Sequence, residues 1–352
     1  MSRTNKLART LIALGVIGLL SGQSQAAVSL LVGSVGTNSI DQYDGTTGAF
    51  IRTFATDPGL DAPFGMAMGP DLNNDGTPDL YVVSLGKSSV IAFEGSTGAK
   101  IATFVPSGSA GLQFPNTGVF NGGFYYLTDF TNNRVMEFNG DGTVHSANFI
   151  NGGPSQLQGP TGLVFDPATN HYLVSSSTNS VLKEYNRDGS FFGSYTDFGQ
   201  GGLSAPAGLV LPSSGTTRVW ASSFGNNTVI GYKGVGFFSA MVDHTISGNG
   251  LSGPAGLALD ASGNLYVGNS GGNDVLEFDA TGNFIKTFVA PGAGGLKTPI
   301  DLLFTSVPAI MSPGTPPVLQ PESAPEPSSV LLLGLGAAGL IGYCVRQRRT
   351  VV

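Results

Sequence analysis

The stretch Gly250-Leu251-Ser252-Gly253-Pro254-Ala255-Gly256-Leu257, continued by Leu265-Tyr266-Val267 and by Asn273-Asp274-Val275-Leu276-Glu277-Phe278, is one spelling of a sentence written six times in this chain. Its opening element, Leu-x-x-Pro, recurs at Leu60/Pro63, Leu112/Pro115, Leu157/Pro160, Leu203/Pro206, Leu251/Pro254 and Leu296/Pro299, at intervals of 52, 45, 46, 48 and 45 residues. A period of this length marks a repeat architecture, in which each unit buries its apolar faces against its neighbours.

Each repeat reads as four short strands. After Leu-x-x-Pro comes an apolar run such as Gly162-Leu163-Val164-Phe165 (strand a). Strand b is marked by Tyr81-Val82-Val83, Tyr126-Leu127, Tyr172-Leu173-Val174, Trp220-Ala221 or Tyr266-Val267. Nine residues further on stands strand c, Val90 to Phe93, Val135 to Phe138, Val229 to Tyr232 and Val275 to Phe278; the third repeat, ending at Tyr185, has one residue more, read as a bulge. A glycine turn at Gly98, Gly142, Gly189, Gly236 or Gly282 leads to strand d, which ends at Phe104, Phe149, Tyr195 or Phe288. Four antiparallel strands per period of about 46 residues describe a propeller blade. Leu31-Val32, Ile40 to Tyr43, Gly48 and Phe54 supply b, c and d without an a, and Pro299 to Phe304 supplies an a followed by linker rather than by a further b. Joined, they make a sixth blade and remove the open sheet edges. The expected fold is therefore all-β, a six-bladed β-propeller closed by its N-terminal strands and its last inner strand; a two-sheet β-solenoid or sandwich is the alternative. The order Pro-x-Gly, apolar strand, Tyr-Val, Asn-x-Val-x-x-Phe resembles the NHL repeat over about 275 residues, departing from it at Asp301 and Ser88.

Fifty-three glycines and 11% charged residues suit short strands and tight turns. The net charge is −7 overall, and between Ala27 and Ser306 there are 10 basic against 21 acidic side chains, a net of −11. Such a surface repels phosphate backbones, so no nucleic-acid partner is expected. The one cysteine, Cys344, lies in the tail, leaving the repeats without disulfide or thiol chemistry.

The two ends carry an address. Arg3, Lys6 and Arg9 precede the apolar run Leu11 to Leu20 and the small residues near Ala26, a secretory signal over 1–26. The repeats occupy 27–306. A proline-rich linker, 307–324, leads to a segment over 325–352 that holds Pro325-Glu326-Pro327, an apolar run over 330–345 and Arg346, Arg348 and Arg349. Sixteen residues of helix reach about 24 Å, short of a hydrocarbon core of about 30 Å. A simple anchor is one reading. The triplet, short glycine-rich run and arginine cluster resemble the PEP-CTERM sorting signal, which implies an exosortase partner, transient or lasting membrane anchoring through 330–345, and display at the envelope or in the matrix of exopolysaccharide-producing, biofilm-forming bacteria.

Asp71, Asn73, Asp75, Thr77 and Asp79, with Gly76 between, set oxygen ligands at positions 1, 3, 5, 7 and 9 of one loop, as a hard cation requires. With Phe64-Gly65 before it and Leu80-Tyr81-Val82 after it, the loop resembles a calcium-binding FG-GAP blade; Ca2+ is the expected cofactor, in a structural role, and a metal-free Asn/Asp turn is the alternative. His145, His171 and His244 fall on different blades, which argues against a zinc centre. Asp166 and Asp260 read as turn formers. Asp129, where other repeats have Ser34, Ser84, Ser223 or Asn269, and Asp301, where they have glycine, are the acids able to approach a channel mouth. The d-to-a and b-to-c loops, rich in Ser, Asn and Gly with Phe130, Phe198 and Phe224, suit a neutral or polyhydroxyl ligand or simply water. These features together describe a non-catalytic binding or structural module with a glycan or protein ligand, the alternative being a lactonase-like hydrolase or lyase.

Overall fold

The computed structural model describes residues 28–153, 157–234 and 240–306; the signal over 1–26, the linker, the sorting residues Pro325 to Arg349 and the apolar run 330–345 lie outside them. Among the described residues are 24 strands in six antiparallel four-stranded sheets. Blade 1 is β1 (Ser29–Ser34), β2 (Ser39–Asp44) and β3 (Phe50–Thr56), completed by β24 (Pro299–Thr305). Blade 2 is β4 (Pro63–Gly69), β5 (Asp79–Ser84), β6 (Ser89–Phe93) and β7 (Lys100–Val105); blade 3 is β8 (Pro115–Asn121), β9 (Phe124–Asp129), β10 (Arg134–Phe138) and β11 (Val144–Asn151). Blade 4 comprises β12 (Pro160–Asp166), β13 (His171–Ser176), β14 (Val181–Asn186) and β15 (Phe191–Ser194); blade 5, β16 (Pro206–Val210), β17 (Val219–Ser223), β18 (Thr228–Lys233) and β19 (Met241–Ile246). Blade 6 is β20 (Pro254–Leu259), β21 (Leu265–Asn269), β22 (Asp274–Phe278) and β23 (Phe284–Val289). The ring closes as the terminal strands require: β24 pairs with β1 through Ser29↔Thr305, Leu30↔Phe304 and Leu31↔Leu303.

The repeated letters are explained by bonds that recur in every blade. The last residue of strand b accepts the amide of the residue after the buried leucine: Ser34 from Lys297, Ser84 from Asp61, Asp129 from Gln113, Ser176 from Gln158, Ser223 from Ser204 and Asn269 from Ser252. A second bond joins neighbouring blades. The b-to-c turn residue Asn38, Ser88, Asn133, Ser180, Asn227 or Asn273 accepts the amide of the residue before proline in the next blade, namely Ala62, Phe114, Gly159, Ala205, Gly253 or Thr298. All six acceptors have left-handed φ, between 50° and 60°, a conformation asparagine adopts more readily than most residues. The turn glycines report a third contact. A Cβ on Gly48, Gly98, Gly142 or Gly189, each with φ between 75° and 81°, would strike the carbonyl of Phe288, Phe54, Phe104 or Phe149 in the preceding blade.

One expectation is corrected. The extra residue before Tyr185 makes no bulge between strands b and c: β13 and β14 pair without interruption from His171↔Asn186 to Ser176↔Val181. Tyr172 pairs with Tyr185 as Tyr125 does with Phe138, so Tyr172 corresponds to Tyr125, one place from its apparent counterpart Tyr126. A register shift does occur at Glu184/Tyr185, toward β15, as toward the outer strand of the other blades.

Candidate functional site

The b-to-c and d-to-a loops form one face of the ring, here the upper face. Its polar side chains are largely occupied in shaping the loops. Asn132 Nδ2 donates to Gly111 O and Asp129 Oδ2, and Asn226 Nδ2 donates to Gly202 O. Asp129 is fully buried and receives Arg134 Nε at 2.9 Å in addition to the Gln113 amide. Asp301 is also fully buried and accepts the Met66 amide at 2.6 Å, beside the inner-strand glycine Gly256, where a Cβ would meet Asp301 itself. These two acids hold backbone; they do not stand together at an open mouth. Phe198 is the exception on this face, 79% exposed. The histidines lie at separate outer or middle positions: His145 in β11, His171 at the start of β13, His244 in β19.

The a-to-b and c-to-d loops form the lower face, and here lies a cavity of about 690 Å³ that the sequence did not signal. It spans blades 6, 1 and 2, with Met68, Pro78 and Phe304 as apolar walls and Thr46, Ser96 and Asp260 among its polar groups. Its volume suits a small ligand. It lies at the joint where blade 1 is built from two ends of the ring rather than from an a-to-b hairpin: Val28, just before β1, and Thr305, the last residue of β24, both line the opening.

Thr77 and Pro78, which also line it, belong to the expected cation loop between β4 and β5. In that loop Asp71 accepts the Asp75 and Gly76 amides, Asn73 Oδ1 accepts the Asp75 amide, and Asp75 Oδ1 accepts Thr77 N and Oγ1. Asp79 opens β5, is fully buried, and accepts the Leu72 amide at 2.7 Å through Oδ2. Its Oδ1 is buried without a hydrogen-bond partner, although the Gly95 amide stands close enough to favour the charged form. Burial, with Asp75 and Asp71 adding repulsion, raises the Asp79 pKa above the usual carboxylate range. Glu94, just after strand c, bonds to Asp75, which raises the Glu94 pKa; the Thr77 hydroxyl, followed by Glu94, depresses that of Asp75. No Lys or Arg pairs with any of the four acids among the described residues. Nor do any three His, Cys, Asp or Glu side chains there stand jointly placed as metal ligands. The orphaned, buried Asp79 oxygen beside uncompensated carboxylates is nonetheless the donor chemistry a hard cation satisfies. Glu94 escaped the sequence reading because it opens the c-to-d turn, fifteen residues beyond Asp79.

Between blades 4 and 5, Arg218 donates to Asp166 Oδ2 and Glu184 Oε1 at 2.8 and 2.9 Å and lies over Tyr195, while His171 Nδ1 is 3.0 Å from Glu184. Asp166, read as a turn former, does bond the Ala168 amide but also anchors this cluster.

Residues 323–349 match the model of the PEP-CTERM protein-sorting motif. No curated protein matches the chain. Among solved structures, a chain of a nidogen/laminin complex is 17% identical, with a TM-score of 0.62, over 79% of this chain and 98% of that one. A protein of unknown function from Bacteroides caccae is 16% identical, TM-score 0.54, over 78% and 99%. Virginiamycin B lyase from Staphylococcus aureus is 15% identical, TM-score 0.50, over 69% and 77%. At these identities the likeness is one of fold: a six-bladed β-propeller. The sorting motif marks this propeller as exported, processed by an exosortase at its C-terminal segment, and attached at the cell surface. Among the described residues no helix is long and apolar enough to cross a membrane.

Proposed function

We propose that this exported propeller is a non-catalytic binding module of the cell surface or extracellular matrix, taking a glycan or protein ligand and ordered by calcium. The observation that carries this reading is the use made of Asp129 and Asp301. A lactonase-like reaction would need these acids at the channel, and each is buried and committed, Asp301 to the Met66 amide and Asp129 to the Gln113 amide and the Arg134 side chain. Calcium would be held by Asp71, Asn73, Asp75, Thr77 and Asp79, with Glu94 within reach of Asp75. Its charge would satisfy the orphaned Asp79 oxygen and fix the Thr77-Pro78 wall of the lower cavity, linking metal to ligand.

The test is retention of the exported protein on the producer's own extracellular polysaccharide, in calcium and in chelator. Saturable retention, weakened by chelator and by Asp71→Ala with Asp75→Ala, is expected; no retention in either condition overturns the matrix-glycan reading. Mass spectrometry of the native protein checks processing, and an intact terminus through Arg349 to Val352 refutes it.

A further inference from the structure

Position by position, strand c is nearly the same in all blades. The residue paired with Val32, Val82, Leu127, Val174, Ala221 or Val267 of strand b is Asp41, Ile91, Met136, Lys183, Ile230 or Leu276. All six are buried. Four are apolar core. Asp41 has its charge met by hydroxyls of Ser39 and Thr53. Lys183, in the opposite blade, is 4% exposed, and its Nζ has one long hydrogen bond, 3.4 Å to Ser194 Oγ, with the Phe191 ring centroid 5.2 Å away. No carboxylate lies within 4 Å of it among the described residues. A buried ammonium without a counter-ion is costly, and four neighbours show that an apolar side chain fills the same place.

The lysine lines an opening. β15 is four residues long where the other outer strands run six to eight; beyond Ser194 the chain stays on β14 through the Tyr195 and Thr196 amides, which donate to Leu182 O, and between the two runs a crevice of about 210 Å³ opens toward the upper face. Ser194 and Thr196 present hydroxyls in it; Thr196 Oγ1 accepts the Leu182 amide, leaving its proton to donate. Asn179 contributes a buried, unpartnered Oδ1, an acceptor for a ligand hydroxyl. Phe198 stands exposed at the rim. Burial alone moves the Lys183 pKa below the ordinary lysine range.

Resting on the reading of the protein as a glycan-binding module, we infer that the Lys183 crevice is the subsite for a carboxylate-bearing sugar, a hexuronate residue of an acidic polysaccharide. The carboxylate supplies the missing counter-ion, the two hydroxyls donate to it or to ring oxygens, Asn179 accepts a sugar hydroxyl, and Phe198 offers an apolar face to the ring. The volume admits one sugar residue.

The test titrates the exported protein with methyl β-D-glucuronide, methyl β-D-glucoside and acetate. Saturable glucuronide binding is expected, at least about tenfold tighter than the glucoside, the difference one charge-assisted hydrogen bond makes. Lys183→Met should lose that preference while melting no lower than the parent, because Met136 already occupies the equivalent place. Phe198→Ala, at an exposed site that cannot unfold the ring, should weaken the glucuronide severalfold. Equal binding of glucuronide and glucoside, undiminished binding by Lys183→Met, or no effect of Phe198→Ala overturns the assignment. Acetate competing as well as the glucuronide makes this a bare carboxylate site and overturns the sugar. Failure here with polysaccharide retention intact removes this subsite alone; loss of retention with glucuronide binding intact removes the matrix reading and leaves the subsite.

Discussion

Ser88→Asn should stabilise the ring, and by an amount the other blades set. Four of the six blade-to-blade acceptors are asparagines, at 2.7 to 2.9 Å from the amide before proline; Ser180 stands at 3.2 Å and Ser88 at 3.4 Å. Serine's shorter side chain reaches less far, and it gains less in the left-handed region than asparagine. A good hydrogen bond in place of a marginal one contributes about 0.5–1.5 kcal/mol net. About 1 kcal/mol should raise the melting temperature by about 2 °C in a domain of this size. Blades 2 and 4 are not adjacent, so Ser88→Asn and Ser180→Asn should add. Conversely, Asn273→Ala leaves the half-buried Thr298 amide without a partner at the joint between blades 6 and 1, a loss of about 1–3 kcal/mol. Urea and thermal unfolding of the purified protein measure both. A Ser88→Asn protein no more stable than the parent, together with a silent Asn273→Ala, would refute the claim that these bonds hold the blades together.

Arg218→Met should destabilise by about 3–5 kcal/mol, because it strands buried Asp166 and Glu184 without their cation; an unchanged urea midpoint counts against the cluster as an inter-blade lock. Gly98→Ala, forced against the Phe54 carbonyl at φ 80°, should cost more than about 1 kcal/mol and is read by the same unfolding curve. The proposed calcium loop predicts a pH dependence. Asp79 and Glu94 have raised pKa values in the folded chain, so without metal their contribution to stability is present below the ordinary carboxylate pKa of about 4 and is lost as pH rises through the raised values. Calcium favours the charged forms, so its stabilising effect should grow between about pH 4 and pH 7, and Asp79→Asn should flatten that growth in calorimetry. A calcium effect independent of pH argues against Asp79 as a ligand.

The fold was legible because the repeated letters are the contacts themselves. Leu60 and its five counterparts are buried, the asparagines are the inter-blade acceptors, and the turn glycines sit under the neighbouring blade's phenylalanine carbonyls, so a periodic sequence wrote a periodic bond. Closure was legible for the same reason, since an orphan strand a and an orphan b-c-d set must pair. What failed was the count around Tyr185, where adjacent tyrosines at 125 and 126 made the wrong one look equivalent to Tyr172. The roles of Asp129 and Asp301 were only half visible. Their departure from the repeat was plain, but whether a departure opens to solvent or turns inward to an amide depends on packing that no period encodes. The lower cavity left no signature because its walls come from three blades far apart in sequence, and Glu94 none because its partner loop lies between two other strands, β4 and β5. Lys183 could have been found by aligning strand c, where it and Asp41 alone interrupt an apolar column.

The closure strand also sets the face from which the chain leaves the ring toward its sorting segment. β24 ends at Thr305 on the lower face, so the chain leaves the ring toward the sorting segment from the side that carries the proposed calcium loop and the larger cavity. The Lys183 crevice opens between Asn179 and Phe198 on the upper face, in the blade opposite the tether. A polymer too large to enter beneath the ring can still reach it. Glucuronide affinity should therefore be the same for the attached and the released protein, whereas ligands of the lower cavity should bind the released form better. Comparing binding to whole cells with binding to protein shed into the medium separates the two faces, and a glucuronide site that becomes available only on release would place the crevice on the wrong side of the ring.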